Sequence, residues 1–210
     1  MSFSSTDRIG LYIDGANLIA AARALGFDVD FKRLLYEFRG CGRLLQAVYY
    51  AVISESQPYS TVRPLLDWLD YNGYTVITKA TEEFLDPGGS RRVKGNIHVD
   101  LAVHAIEFAK QIDQMVLFSG DGKLRAMVGA MQRRGVRVTV ISTISSEPPM
   151  IADSLRRQAD VFIDLIELKS RLGREEPARP VRSGTHQKIQ IRTPAVMRKR
   201  SGDRNSDGAR

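Results

Sequence analysis

Short apolar runs of strand length recur along the chain: IGLYI at 9–13, QAVYYAVI at 46–53, YTVIT at 74–78, MVLF at 115–118 and VRVTVIS at 136–142. Between them, apolar residues fall at helical spacing over 16–26, 31–39, 59–72, 98–111 and 122–134. A last run, VFIDLIEL at 161–168, predicts a short strand that passes into a helix. Strands alternating with helices argue for βαβ units and a parallel sheet of about five or six strands. The strands are almost continuously apolar, which fits a sheet covered by helices on both faces. Gly73 and Gly135 each sit between a helical pattern and a strand, the position of a helix C-cap. No internal repeat is visible.

Two of the apolar runs end in a carboxylate. In IGLYIDGANLIA (9–20) the run stops at Asp14, and Gly15-Ala16-Asn17 opens a helix. In VLFSGDGKL (116–124) the run is followed by Ser119-Gly120-Asp121 and again a helical pattern. Open α/β sheets bind ligands at the carboxyl ends of their strands, so Asp14 and Asp121 are candidates to converge on one crevice. Paired strand-end carboxylates suggest a divalent-metal site and chemistry on phosphodiesters. The plainer alternative is that each Asp only caps the helix after it. Asn17, one turn into its helix, could orient Asp14 or contact a phosphate. Ser119-Gly120 would let backbone approach a ligand closely.

NIHVDLAVHAIEFAK places His98 near a helix start and puts Asp100 and His104 four residues apart on one face. That pair is a weak metal signal. The plainer alternative is a partly buried His104 and an Asp100 favoured by the helix dipole, and it is the stronger reading for His104. The segment 80–97, ATEEFLDPGGSRRVKGNI, reads as one long connection, and such connections are often functional. Its basic end, Arg91, Arg92 and Lys94, leads into the helix that carries Asp100. GDGK at 120–123 is not a phosphate-binding P-loop: Leu117 stands where the first glycine belongs, and no Ser or Thr follows Lys123. A haloacid-dehalogenase phosphatase would want a second Asp at position 16, which is Ala. A small-molecule phosphatase or phosphotransferase is therefore disfavoured.

Composition refines this picture. The 210 residues suffice for one domain with a real core, and 43% of them are hydrophobic. Cys41 is the only cysteine, which excludes an internal disulfide and thiolate-pair metal sites. No apolar run approaches ~18 residues, so no membrane span is expected. The polar start MSFSSTDR lacks an apolar signal region, and a cytoplasmic location is the expectation. The formal charge of +7 resides in residues 171–210, which hold 11 Lys and Arg against 4 Asp and Glu. Residues 1–170 hold 20 of each sign and are neutral. The segment 171–210 reads as a disordered basic tail, either a solubilising extension or a non-specific attractor of nucleic acid.

LYIDGANL, KGNIHVDLAVHA, LFSGDGKL, the VRVTVIS strand and LRRQADVFIDL resemble, in this order, the NYN domain of the LabA-like group, within the PIN-like nuclease superfamily. The resemblance spans 7–168. It implies a Rossmann-like α/β domain, an acidic cluster that binds Mg²⁺ or Mn²⁺, and cleavage of RNA. Asp14 matches the first family acid and Asp121 the acid of the SGD motif. Where the family commonly reads KGNIDVELAVDA, this chain has His98, Asp100 and His104, and Lys123 replaces a further acid. The resemblance thus implies a metal-dependent ribonuclease in which Asp14, Asp121 and Asp100 bind one cation. Asn17 and Ser119 would orient ligands, and Arg91, Arg92, Lys94 and Lys123 would engage RNA phosphates. The alternative is a degenerate RNA-binding or regulatory module using the same crevice. Protein partners and a homo-oligomer are left open.

Overall fold

The computed structural model describes residues 4–54, 62–85, 91–94 and 97–174; for 54, 82–85 and 91–94 it describes the backbone only. In chain order the elements are β1 (Arg8–Asp14), α1 (Gly15–Ala24), α2 (Phe31–Cys41), β2 (Arg43–Ser54), α3 (Arg63–Tyr71), β3 (Thr75–Leu85) and β4 (Arg91–Lys94). They continue with α4 (His98–Phe108), β5 (Gln114–Phe118), α5 (Arg125–Gln132), β6 (Arg137–Ser142), α6 (Asp153–Gln158), β7 (Val161–Asp164) and α7 (Lys169–Leu172). The seven strands form one sheet in the order β4-β3-β2-β1-β5-β6-β7. All neighbours are parallel except β3 and β4. The expected parallel sheet is present, with six parallel strands.

Alternation along the central strands explains the two covered faces. Ile9, Leu11 and Ile13 of β1, with Val116 and Phe118 of β5, join a buried cluster that includes residues of α1, α2, α3 and α7. Tyr12 of β1, with Met115 and Leu117 of β5, joins a second cluster that includes residues of α4, α5 and α6. Each strand is thus buried on both sides, which is why it reads as an unbroken apolar run. Phe118 meets Phe38 of α2 edge-on, with ring centroids 5.7 Å apart. Gly73 and Gly135 take the left-handed conformation with φ of 91° and 81°, as expected for chain reversals after helices.

Three features depart from the sequence reading. The segment 80–97 is not simply a connection: β3 runs through Leu85, and Arg91–Lys94 returns antiparallel to it. The residues concerned, TEEFL and RRVK, are charged, as suits the edge of a sheet, so they carry no apolar signal. The one-and-a-half-turn α6 also has no periodic pattern long enough to read. At the other end, α7 and a bridge between Val29 and Gly173 carry the described chain past 171, where the tail was expected to begin. Residues 175–210 lie outside the described residues.

The strand order reverses between β1 and β5. Connections from β1 outward through β2 and β3 cover one face, and those from β5 outward through β6 and β7 cover the other. The crevice beyond the carboxyl ends of β1 and β5 is therefore the topological switch point of the sheet, the place where open α/β folds bind ligands.

Candidate active site

Asp14 is the last residue of β1 and Asp121 lies three residues beyond β5, so both stand at the switch point. Both also cap helical turns. Asp14 Oδ1 accepts from the Asn17 N–H at 3.3 Å, and Asp121 Oδ1 accepts from the Lys123 N–H at 2.8 Å. The capping reading and the convergent reading are thus both realised, because each carboxylate has a second oxygen to spare. Both spare oxygens face His98, the first residue of α4. Its Nε2 lies 3.3 Å from Asp14 Oδ2 and its Nδ1 lies 3.5 Å from Asp121 Oδ2.

Ser119 locks the pair. Its hydroxyl donates to Asp14 Oδ2 at 3.0 Å and accepts from the Asp121 N–H at 3.2 Å. Ser119 is 1% exposed and Asp14 5%, so Asp14 is a buried carboxylate with its partners fixed. The Asn17 side-chain carbonyl accepts from the Gly120 N–H at 2.8 Å and ties the start of α1 to the loop after β5. Asn17 therefore orients the loop that carries Asp121.

Cations surround these acids. The hydrogen bond to Asp14 raises the His98 pKa above its usual value, against the opposing effect of burial, and the charges of Asp14 and Asp121 add to the rise. A protonated ring so placed would set its charge between the two carboxylates. The ammonium of Lys123 stands 3.7 Å from Asp121 Oδ2. Asp100 is held elsewhere: its Oδ2 accepts from Lys79 Nζ on β3 at 2.7 Å. His104 pairs through Nδ1 with the Tyr50 hydroxyl at 2.9 Å, beside the ring of Tyr12.

The structure thus brings Asp14, Asn17, Ser119, Asp121 and Lys123 together and places Asp100 against Lys79. The side chains of Arg91, Arg92 and Lys94 lie outside what is described. Two participants, His98 as a bridge and Lys79 as a partner of Asp100, were not assigned site roles from the sequence. His98 did carry a signal, since it replaces an acid of the family pattern, whereas nothing local marks Lys79. Gly120 is required for packing, because a side chain there would run into the Met150 carbonyl. Among the described residues, no group of three or more His, Cys, Asp and Glu side chains is arranged to hold a metal ion. Among them, too, no helix is long and apolar enough to cross a membrane.

An open, mostly parallel α/β sheet with two acids at its switch point defines a Rossmann-like domain. The NYN domain profile matches residues 8–167, and the chain belongs to the NYN domain family. It is 31% identical over 177 residues to the low amplitude and bright protein LabA of Synechococcus elongatus, which covers 82% of this chain and 91% of the relative. Its fold is similar to the crystal structure of VPA0982, a protein of unknown function from Vibrio parahaemolyticus, with a TM-score of 0.63 and 24% identity. That likeness covers 79% of this chain and 96% of the Vibrio chain, and it shows the fold alone.

Proposed function

We propose that this chain is a slow, metal-dependent ribonuclease of the NYN type, acting on the phosphodiester backbone of RNA at the Asp14–Asp121 crevice. One observation carries the reading: carboxylates from two strands more than 100 residues apart in sequence direct one oxygen each at the same imidazole, at the switch point. An imidazolium is a stand-in cation, so the space between these oxygens fits a positive charge. Two carboxylates without a third acid suit a hard ion such as Mg²⁺ or Mn²⁺ that takes its remaining ligands from water and substrate phosphate. Asp14 and Asp121 would hold it, and it would supply charge neutralisation at the phosphate and an activated water.

The protein's own groups set the rest. Ser119 and Asn17 hold the two acids in register. Lys123, 71% exposed on its side chain, offers an ammonium to a phosphate oxygen. His98 contests the cation's place, because its ring already stands between both acids, and a protonated ring there would slow turnover.

The test is cleavage of end-labelled single-stranded RNA with Mn²⁺, with Mg²⁺ and with a chelator. Wild type should cleave slowly with metal and not without it, and Asp14→Asn should abolish cleavage. The double variant His98→Asp/Lys123→Asp should cleave at least about tenfold faster, since it removes both competing cations. A specific observation favours the second reading, a binding-only module: Asp14, Asp121 and Asp100 each already have a protein cation. RNA bound but left intact by wild type and double variant alike would establish that reading and reject the nuclease.

A further inference from the structure

We propose that a groove along α5 carries the RNA backbone away from the Asp14–Asp121 crevice, as a second, purely electrostatic binding surface. The proposal rests on the reading that the crevice acts on RNA and adds the path the strand takes from it. The groove has a volume of about 420 Å³ and is lined by Lys123, Arg125 and Arg133, with Ala126 and Gly129 between them and Gln158 of α6 opposite. No carboxylate lines it.

Three features make it a path for a strand. First, it begins at the crevice, because Lys123 belongs to both: its ammonium is 3.7 Å from Asp121 and it forms the groove's near end. Second, positions 126, 129 and 133 recur at helical spacing, so the groove follows the axis of α5. Ten residues separate Lys123 from Arg133, roughly 15 Å at the helical rise. Third, its floor is held low. A methyl group on Gly129 would stand 3.3 Å from the Arg133 guanidinium and 3.7 Å from the Gln158 amide, so larger residues would fill the trench. The Gln158 wall is fixed by a reciprocal pair: its amide donates to Gln132 Oε1, and the Gln132 amide donates to the Gln158 carbonyl, both at 2.7 Å.

Charge complementarity selects the occupant. Arg125 and Arg133 are exposed and make no ion pair with a carboxylate among the described residues. Residues 1–170 are neutral as a whole, so a groove lined by three cations and no acid, with Asp121 only at its near end, is a segregation of charge along one line. A linear polyanion that must also reach Asp14 and Asp121 is a phosphodiester backbone.

Fluorescence anisotropy tests this with a labelled single-stranded oligoribonucleotide, the full-length protein and chelator present, over a range of salt. Each lost phosphate contact to a single strand lowers the slope of log affinity against log salt by about 0.7. Arg125→Gln/Arg133→Gln should therefore reduce that slope by about 1.4 and weaken binding several-fold at low salt, with an unchanged thermal melt. Lys110→Gln, an exposed cation outside the groove, should leave the slope within error of wild type. Wild-type binding with an unchanged slope in the double variant would overturn the groove and leave the RNA reading standing. Failure of wild type to bind RNA would overturn both. Equal displacement of the RNA by a poly-glutamate peptide of matched charge would mean that the groove takes acidic peptides, and would overturn the assignment to RNA.

Discussion

Replacing Gly120 with Ala should disable both the fold and the site, and the structure says by how much. An added Cβ would overlap the carbonyl oxygen of Met150 and stand 2.7 Å from Ser142 Oγ. The obstruction is backbone, and it is pinned. The Met150 N–H donates to Thr143 O at 2.9 Å, its carbonyl accepts from Ser142 Oγ at 3.0 Å, and the Ala152 N–H donates to Gly120 O at 2.9 Å. Overpacking a well-filled site costs about 1–3 kcal/mol. Relief here also strains hydrogen bonds worth about 1 kcal/mol each, so the total is about 3–5 kcal/mol. For a domain of this size that corresponds to a fall in Tm on the order of 10 °C. The same shift would pull the Asp121 N–H from Ser119 and the Gly120 N–H from Asn17. Calorimetric melts of Gly120→Ala and Gly40→Ala test this together. Gly40 lies within α2 with open space around its Cβ position, so Ala there should stabilise by up to about 1 kcal/mol. A Gly120→Ala melt within about 2 °C of wild type would show that the 143–152 segment yields freely, and would refute the packing argument.

At the amino ends of the central strands β1 and β5, the Arg8 guanidinium holds Asp113 down to about 2, so this carboxylate favours folding above its ordinary range and the benefit is lost as pH falls through the folded value. Asp113→Asn should therefore lower Tm at neutral pH, less so at high salt because the pair is half-exposed, and should melt with wild type near pH 2. His98 has the opposite sign. Its raised pKa makes protonation stabilising below the unfolded value of about 6.5, and this stabilisation disappears as pH rises through the folded value. His98→Gln should flatten the decline in Tm from neutral to alkaline pH, and an unchanged pH profile would show that the ring is not charged between Asp14 and Asp121.

The central sheet was legible because burial writes itself into the sequence. β1, β5 and β6 are covered on both faces, so IGLYI, MVLF and VRVTVIS stand out as apolar runs. Gly73 and Gly135 mark reversals for a stereochemical reason that needs no tertiary knowledge. The hairpin of β3 with β4 was not legible, because TEEFL and RRVK sit at the sheet edge and carry charge where a central strand carries Val or Ile. α6 escaped for a different reason. Six residues hold too few apolar positions to show a period, and α6 packs by the single buried Leu155.

The site was legible only as far as backbone placement determines it. Asp14 and Asp121 could be placed because strand ends are readable and open sheets bind at them. What lies between the two carboxylates could not be read, since that depends on how α4 docks against the switch point. Docking brings His98 onto both acids and leaves Asp100, two residues on, turned to Lys79 on a different strand. This geometry changes what the missing family acids mean. A crevice of bare carboxylates would repel a phosphodiester until a metal arrived. On the proposed reading, His98 and Lys123 offset Asp14 and Asp121 on the spot, which would let the crevice accept RNA with or without metal. The same neutralisation lowers the pull on a divalent cation. Under the proposed function, readiness to hold RNA and slowness to cut it would both follow from one arrangement of four side chains.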